Sequence, residues 1–550
     1  MVEIQKGPAD PVRAARFQVL AREFDAATRA QDIPRALGWA KRAMEEGFAH
    51  PAFFNLIAYL DIRQGRVAEA IALLRNGLVM APNDANLLNQ LGVAHNHLGQ
   101  YRDAIRAFDK ALAAVPGFAP PLYNRGLAHE GLGDAGRARA DYLRAVESQP
   151  GYAEALSRLA YTDALRGQYE AALAFAERAL GSYARDQLGA IAAAMAEIAL
   201  DRPDSAIARL TALLNDPALG PANRVIALGL LGDAFDAKGA ADAAFDAYAR
   251  SNEAQRRDNE SHFRAGEALQ SAQMLRRYFE TAPGDAWSAD RDAPRDPRAA
   301  GHVFLVGFPR SGTTLLEQTL AGHPDVVTSE ERDLLADAAQ AFARSPADLD
   351  TLSTLAPDAA LRYRDLYWAR TAEAGLDAAG KVFVDKLPLN ALLLPLVAKI
   401  FPDARILFAL RDPRDVILSS FRRRFAMSDQ MYQLLTLEGA AVYYDAVMGA
   451  CAAYREKLGL DWRDVRHEDF VADFEGQARA LCGHLGLSWN RDMIVVAERL
   501  RARAVDTPSS RQIAAGVSAA GVGAWRRYGG QLAPVLPVLA PWVARFGYPE

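Results

Sequence analysis

The sequence predicts a multi-domain chain: an all-α repeat superhelix followed by an α/β domain built on a parallel sheet. Three observations predict it. The chain has 550 residues, more than a single hydrophobic core supports. A 34-residue period runs through its first half. From His302 onward, apolar runs short enough for strands alternate with helical patterns.

Three landmarks carry the period in one register. Ala36, Ala70, Ala104, Ala138, Ala172 and Ala206 are each 34 residues apart. Gly65, Gly99, Gly133 and Gly167 keep the same spacing, as do Pro82, Pro116 and Pro150. Each glycine suits a tight turn between two short helices, and each alanine a close helix crossing. Each proline follows the second helix, which it cannot continue. The segment YRDAIRAFDKALAAVP places its apolar residues at helical spacing. The pattern resembles the tetratricopeptide repeat over residues 15–255. The last unit, around Gly239 and Ala244, is displaced by four residues and reads as a degenerate closing repeat. Arrays of this kind present a concave surface, and the resemblance implies a peptide or partner protein there. Asn55 and Asn89, one period apart, read either as rungs of a peptide-binding ladder or as solvated helix-face side chains. The third rung falls on Tyr123, with Asn124 one place off.

After Asn259 the period fades. Residues 256–300 read as a linker, with the Pro-, Asp- and Arg-rich stretch TAPGDAWSADRDAPRDPRAA as a connecting or flap-like segment. Residues 301–550 form the second domain. A net charge of −5 argues against nucleic acid as the partner. Two cysteines, Cys451 and Cys482, read as buried apolar residues rather than a disulfide framework, which fits a reducing compartment. No signal-peptide pattern opens the sequence, and no uncharged apolar run approaches a membrane span. The expectation is a cytoplasmic protein with no membrane contact.

His302 to Gly307 is a near-continuous apolar run, suited to a strand buried on both faces. The loop Gly307-Phe308-Pro309-Arg310-Ser311-Gly312-Thr313-Thr314 follows, and then a helix through Gly322. Strand, glycine-bounded loop and helix N-terminus together make a cradle for an anion. Where nucleotide triphosphatases carry the phosphate-binding lysine, this loop has Thr313, which opposes ATPase or kinase chemistry. A second strand, Arg405 to Leu410, runs into Arg411-Asp412-Pro413-Arg414. Asp412 suits a helix N-cap and Pro413 the first helical position, so Arg411 stands at the strand's carboxyl end. Ser419 lies two helical turns farther on, and an arginine fork with a serine hydroxyl is an apt ligand pair for a phosphate monoester.

The loop P-R-S-G-T-T and the later R-D-x-R-x-x-x-x-S resemble the donor-binding motifs of sulfotransferases that use 3′-phosphoadenosine 5′-phosphosulfate (PAPS). The match extends over residues 302–530, to bacterial sulfotransferases with N-terminal tetratricopeptide repeats and to tyrosylprotein sulfotransferases. It implies a P-loop-like α/β domain in which Arg310, Ser311, Gly312, Thr313 and Thr314 hold the 5′-phosphosulfate. It implies that Arg411 and Ser419 take the 3′-phosphate. Ser509, in S-S-R-Q-I, and Arg526 and Arg527, in G-V-G-A-W-R-R-Y, resemble the family's nucleotide-closing segments. His467 stands where the family's V-R-Y-E-D has tyrosine, as a further donor contact.

Sulfuryl transfer needs a base for the acceptor proton, cations for the charge on the bridging oxygen, and donors for the sulfuryl oxygens. The resemblance gives the base to Glu331 of Thr328-Ser329-Glu330-Glu331, with Glu330 as the alternative, and the cation to Lys386 of Asp385-Lys386-Leu387-Pro388. Arg310 counts as both donor ligand and catalytic group. No metal is implied, and the nine histidines form no metal-ligand pattern. His323, in Gly-His-Pro at a helix end, reads as structural. The run Arg422-Arg423-Arg424 reads as solvated, or as a lure for acidic acceptors. The acceptor is open between a protein tyrosine selected by the repeats and a glycan or small-molecule hydroxyl. Tyrosylprotein sulfotransferases carry arginine two places beyond the base, where this chain has Asp333. A non-enzymatic repeat scaffold with an inactive nucleotide-binding domain is the remaining alternative.

Overall fold

The computed structural model describes residues 11–263, 266–288, 296–496 and 519–549. The chain divides into two compact units, 1–164 with 168–196, and 165–167 with 197–550. The first half is a succession of antiparallel helix pairs. Pro51–Arg63 pairs with Val67–Met80, Ala85–His97 with Tyr101–Ala114, and Ala119–Gly131 with Ala135–Ser148. The turn glycines 65, 99, 133 and 167 all have φ between 68° and 78°, left-handed backbone that closes each helix at low steric cost. The periodic alanines 36, 70, 104, 138, 172 and 206 are at most 2% exposed, because each stands where two helices touch. Asn89 Oδ1 accepts a hydrogen bond from Asn124 Nδ2 (3.0 Å), so Asn124 rather than Tyr123 continues the asparagine series.

The four-residue displacement of the closing repeat has a simple origin. Each first helix from Pro51–Arg63 to Gln187–Ala199 has 13 residues, but Pro221–Ala237 has 17, one turn more. Its partner Ala241–Asn259 has 19 residues, against 14 in Tyr169–Ser182. Residues 256–300, expected as a linker, contain the helix Glu267–Thr281. Ala272, Leu275 and Phe279 recur at helical spacing on its buried face, a signal that the polar flanks outweighed in the sequence. Phe279 packs edge-on against Tyr454 at 4.8 Å and against the buried Trp287 at 4.6 Å. Among the described residues, no helix is long and apolar enough to cross a membrane.

The sheet has five strands: β1 (Gly301–Gly307), β2 (Val326–Thr328), β3 (Val382–Lys386), β4 (Arg405–Leu410) and β5 (Asp461–Arg466). Their order is β2-β3-β1-β4-β5, and every pairing is parallel. Val303, Leu305, Val384, Leu407 and Ala409 feed one apolar layer, while Phe304, Val306, Phe383, Ile406 and Phe408 feed the other. Side chains alternate across the sheet, and both faces are covered, as a parallel sheet requires. The chain leaves β1 toward β2 and β3 on one side, then crosses to β4 and β5 on the other. The crevice at the carboxyl end of β1 is therefore the switch point at which α/β sheets bind ligands.

Gly307 ends β1 with φ 151° against the neighbouring strand, and a Cβ there would lie 2.7 Å from the Ala409 carbonyl oxygen. Gly307→Ala is expected to cost about 2 kcal/mol through overpacking and backbone strain, lowering the melting temperature by about 4–8 °C in a thermal scan.

Candidate active site

Every strand of the sheet delivers a candidate residue to its carboxyl edge. β1 runs into the loop Phe308–Gly312, and β3 ends on Lys386. β4 is followed by Arg411, β5 by His467, and β2 by Ser329-Glu330-Glu331. Leu305 pairs with Lys386, Gly307 with Ala409, and Leu410 with Arg466, so these ends lie level.

The segment after β2 is fastened to the end of β3. Ser329 N–H donates to the Val384 carbonyl (3.0 Å), Lys386 N–H to Ser329 Oγ (2.8 Å), and Glu331 N–H to the Lys386 carbonyl (2.9 Å). Glu330 and Glu331 both adopt left-handed backbone, φ 51° and 63°. Two consecutive non-glycine residues in that region store strain, which surrounding contacts must hold in place. The ammonium of Lys386 is fully buried and lies 2.6 Å from Glu331 Oε1 and 2.9 Å from Glu317 Oε2. Glu331 remains 40% exposed, so it faces solvent while Glu317 closes the buried side.

Glu317 is the residue that motif reading missed. It sits in the helix Thr313–Leu320, and its Oε1 accepts the N–H of Glu330 at 3.0 Å. Burial raises its carboxyl pKa, and Lys386 offsets only part of the rise. The available signal was a lone acidic residue inside T-T-L-L-E-Q-T-L, a helix that is buried along its whole length. Behind Lys386, Tyr367 O–H donates to Asp385 Oδ2 (2.8 Å) and lies 2.9 Å from His302 Nε2. Burial pushes Asp385 up to about 7 and His302 down to about 3. This network is a buried polar support beneath the edge.

The loop after β1 turns on Arg310 (φ 72°) and Gly312 (φ 98°). Ser311, Thr313 and Thr314 are buried at the helix N-terminus. Arg310 Nε donates to Ser419 Oγ at 2.9 Å, and Arg411 Nη1 to the Arg310 carbonyl at 3.2 Å. The two motifs read separately in the sequence thus meet. Arg411 also donates from Nη2 to the Gly521 carbonyl (2.6 Å), while its buried Nε has no partner among the described residues. Burial pushes the Arg310 pKa down to about 9, with repulsion from Arg423, Arg411 and Arg422 adding to it. Arg411 is lowered too, chiefly by burial, with Asp415, Glu468 and Asp412 opposing. Crowded guanidiniums, one with an Nε unpartnered among the described residues, have the chemistry to take an anion bearing more than one charge.

His467 lies against the same loop, since a Cβ on Gly312 would come within 2.8 Å of its Nδ1. Asp415 accepts the N–H groups of Gly523 and Trp525 (2.6 and 2.8 Å), which anchors the segment 519–528 over Arg411. Arg526 is exposed beside the Trp525 ring, and Arg527 pairs with Asp236 at 3.3 Å. Ser509 lies outside the described residues. The run Arg422–Arg424, read as solvated or as a lure for acidic acceptors, is engaged within the chain: Arg422 with Asp236, Arg423 with Asp233 (3.5 Å), and Arg424 Nη1 with the Ile226 carbonyl (2.9 Å). Their acidic partners lie nearly 200 residues earlier, beyond any local pattern. His323 is buried, its Nε2 2.8 Å from the Ser488 carbonyl.

Residues 302–491 match the sulfotransferase family, a span that takes in all five strands. The α/β domain is a sulfotransferase-family domain. Residues 55–117 and 123–187 match the tetratricopeptide repeat. An uncharacterized protein of Aquifex aeolicus is 25% identical over 63% of this chain and 45% of that protein. The chain therefore spans less than half the length of that relative. Protein-tyrosine sulfotransferase 1 of Danio rerio is 25% identical over 45% of this chain and 72% of that protein. A tetratricopeptide repeat protein from Parabacteroides merdae superposes with a TM-score of 0.32, at 18% identity, over 43% of this chain and 92% of that one.

His467 supplies a pH test of the sulfotransferase domain. Burial, then repulsion from Arg411 and Arg310, lowers its pKa from 6.5 to about 3. An unfolded chain protonates this ring below pH 6.5 and the folded one does not until about 3, so the unfolded state binds more protons in that window. Stability is expected to fall as the pH drops through it, and His467→Gln to lose that part of the slope. Urea denaturation of both proteins at pH 7 and pH 5 reads the difference.

Proposed function

We propose that the chain is a sulfotransferase that moves the sulfuryl group of PAPS to an acceptor hydroxyl by in-line displacement. The observation that carries the reading is the convergence, at one sheet edge, of the Lys386–Glu331 ion pair with a buried arginine, Arg411, whose Nε lacks a partner among the described residues. In this reading Arg310, Ser311, Gly312, Thr313 and Thr314 hold the 5′-phosphosulfate, and Arg411 Nε and Ser419 Oγ take the 3′-phosphate. His467 borders the loop as a neutral donor, and Ser509 and Arg526 belong to the closing segments. The chemistry of the site suits the donor, because its two phosphates supply the negative charge that the guanidiniums lack.

The acceptor oxygen bonds to sulfur while Glu331 takes its proton. The bond from sulfur to the bridging oxygen breaks, its electron pair leaving with the 5′-phosphate of 3′,5′-ADP. Lys386 donates a hydrogen bond to that oxygen as charge grows on it. Protonation of Glu331 weakens its hold on Lys386, which frees an N–H at the moment the leaving oxygen needs one, while Glu317 keeps the ammonium in place. No step requires a metal. Cys451 and Cys482, both free and buried, fit a cytoplasmic setting.

For the acceptor, the relative named protein-tyrosine sulfotransferase 1 supports a tyrosine hydroxyl, presented by a peptide on the repeats. A second reading, a glycan or small-molecule hydroxyl, is favoured by Asp333. This carboxylate is exposed two residues from Glu331 and would repel an acidic peptide. Labelled PAPS incubated with lysate fractions separates the two by whether label enters protein or carbohydrate.

Arg310→Ala is expected to abolish 3′,5′-ADP binding in calorimetry; unchanged affinity would overturn the reading. Glu331→Gln and Lys386→Ala are each expected to lower turnover of labelled PAPS by about 10²-fold or more, and Glu331→Gln, which removes no donor contact, to leave 3′,5′-ADP affinity within about threefold. Loss of binding instead of turnover would deny them the catalytic role.

A further inference from the structure

We infer that Asp236, in the closing helix pair, is a positioning residue for the 3′-phosphate pocket. The inference rests on the donor reading above, with Arg411 and Ser419 as the phosphate ligands.

The extra turn of the closing repeat is the starting point. A first helix of the usual 13 residues beginning at Pro221 would end at Asp233, so Asp236 exists as a helical residue only in the added turn. Three groups converge on its carboxylate. Arg422 donates from Nη2, Tyr528 donates its hydroxyl to Oδ1 at 2.6 Å, and Arg527 Nη1 lies at 3.3 Å. The first comes from one wall of the donor pocket and the other two from its cover. Arg422 follows directly on the helix Pro413–Phe421, which carries Ser419. Tyr528 and Arg527 end the segment whose Gly521 carbonyl takes Arg411 Nη2. One carboxylate therefore ties the helix bearing one phosphate ligand to the segment that covers the other.

The neighbouring contacts fix this corner from the same side. Asn252 Nδ2 donates to the Phe421 carbonyl at 2.9 Å, and so caps the end of the Ser419 helix. Phe245 stacks on Phe421 with ring centroids 5.0 Å apart. Tyr248 O–H holds Asp233 (2.9 Å), which faces Arg423. Asp236 and Arg422 are 15% and 13% exposed, so water does not screen their pairing as it would on the surface.

Positioning and plain electrostatics predict opposite signs. Arg422 and Arg423 are two of the charges that press on Arg310, and Asp236 and Asp233 neutralise them. Removing a carboxylate near an anion site would, by charge alone, tighten anion binding. If Asp236 instead holds pocket and cover in register, its loss weakens binding, and selectively for the ligand with a 3′-phosphate.

The test is calorimetry on the full chain with 3′,5′-ADP and with 5′-AMP, which lacks the 3′-phosphate. Asp236→Asn is expected to lose about tenfold in 3′,5′-ADP affinity while 5′-AMP affinity stays within about twofold. Tyr528→Phe, which removes one hydroxyl and no charge, is expected to lose affinity in the same direction by a smaller factor, and it carries the test if Asp236→Asn does not fold. Unchanged or tightened 3′,5′-ADP binding, or equal losses for both nucleotides, overturns the inference. Failure of the unmodified protein to bind 3′,5′-ADP overturns the donor reading itself.

Discussion

The organisation of the strand edge depends on one buried ion, the ammonium of Lys386. An ammonium with no exposed surface is tolerable only with partners on every open side, and the chain supplies a carboxylate from either direction. Glu317 does two things at once: it pairs with that ammonium and receives the N–H of Glu330. The left-handed turn at Glu330 and Glu331 is therefore held by the same carboxylate that holds the lysine. The strained turn, the exposed carboxyl of Glu331 and the orientation of Lys386 form a single cooperative arrangement. The backbone bonds from Ser329 and Glu331 to the end of β3 complete it.

A contrasting arrangement lies on the other side of β1. There the charges are alike, and Arg423, Arg411 and Arg422 add to burial in lowering the affinity of Arg310 for its proton. The carboxylates nearby are already engaged, Asp412 with Arg414, Asp415 with backbone N–H groups, and Asp236 with Arg422. The edge thus separates a region around Lys386, where carboxylates offset the ammonium, from an electropositive one around Arg411.

Much of this was legible in the residues alone. The repeats were, because close helix crossings demand alanine and left-handed turns demand glycine at fixed intervals. The strand ends were, because buried parallel strands read as apolar runs and the polar residue that ends each run stands at the edge. Glu317 was not: a single glutamate in an amphipathic pattern reads as solvent-facing, and only the tertiary fold seals that helix on all sides. The helix Glu267–Thr281 was hidden by its polar neighbours. The run Arg422–Arg424 was misread for the same reason in reverse, since its partners lie in another repeat unit and only the fold brings them together. Local pattern reports the period and polarity of a segment; it does not report which distant surface will cover it.

The lengthened closing pair has a consequence for how such a chain can change. In a repeat array each unit packs on its neighbours alone, so whole 34-residue units are interchangeable parts. The pair formed by Pro221–Ala237 and Ala241–Asn259 is exempt, because its extra turn and its aspartates are committed to the α/β domain. Gain or loss of units upstream of Pro221 leaves that commitment intact. The number of units upstream of Pro221 can therefore differ without touching the contacts that tie the last pair to the α/β domain.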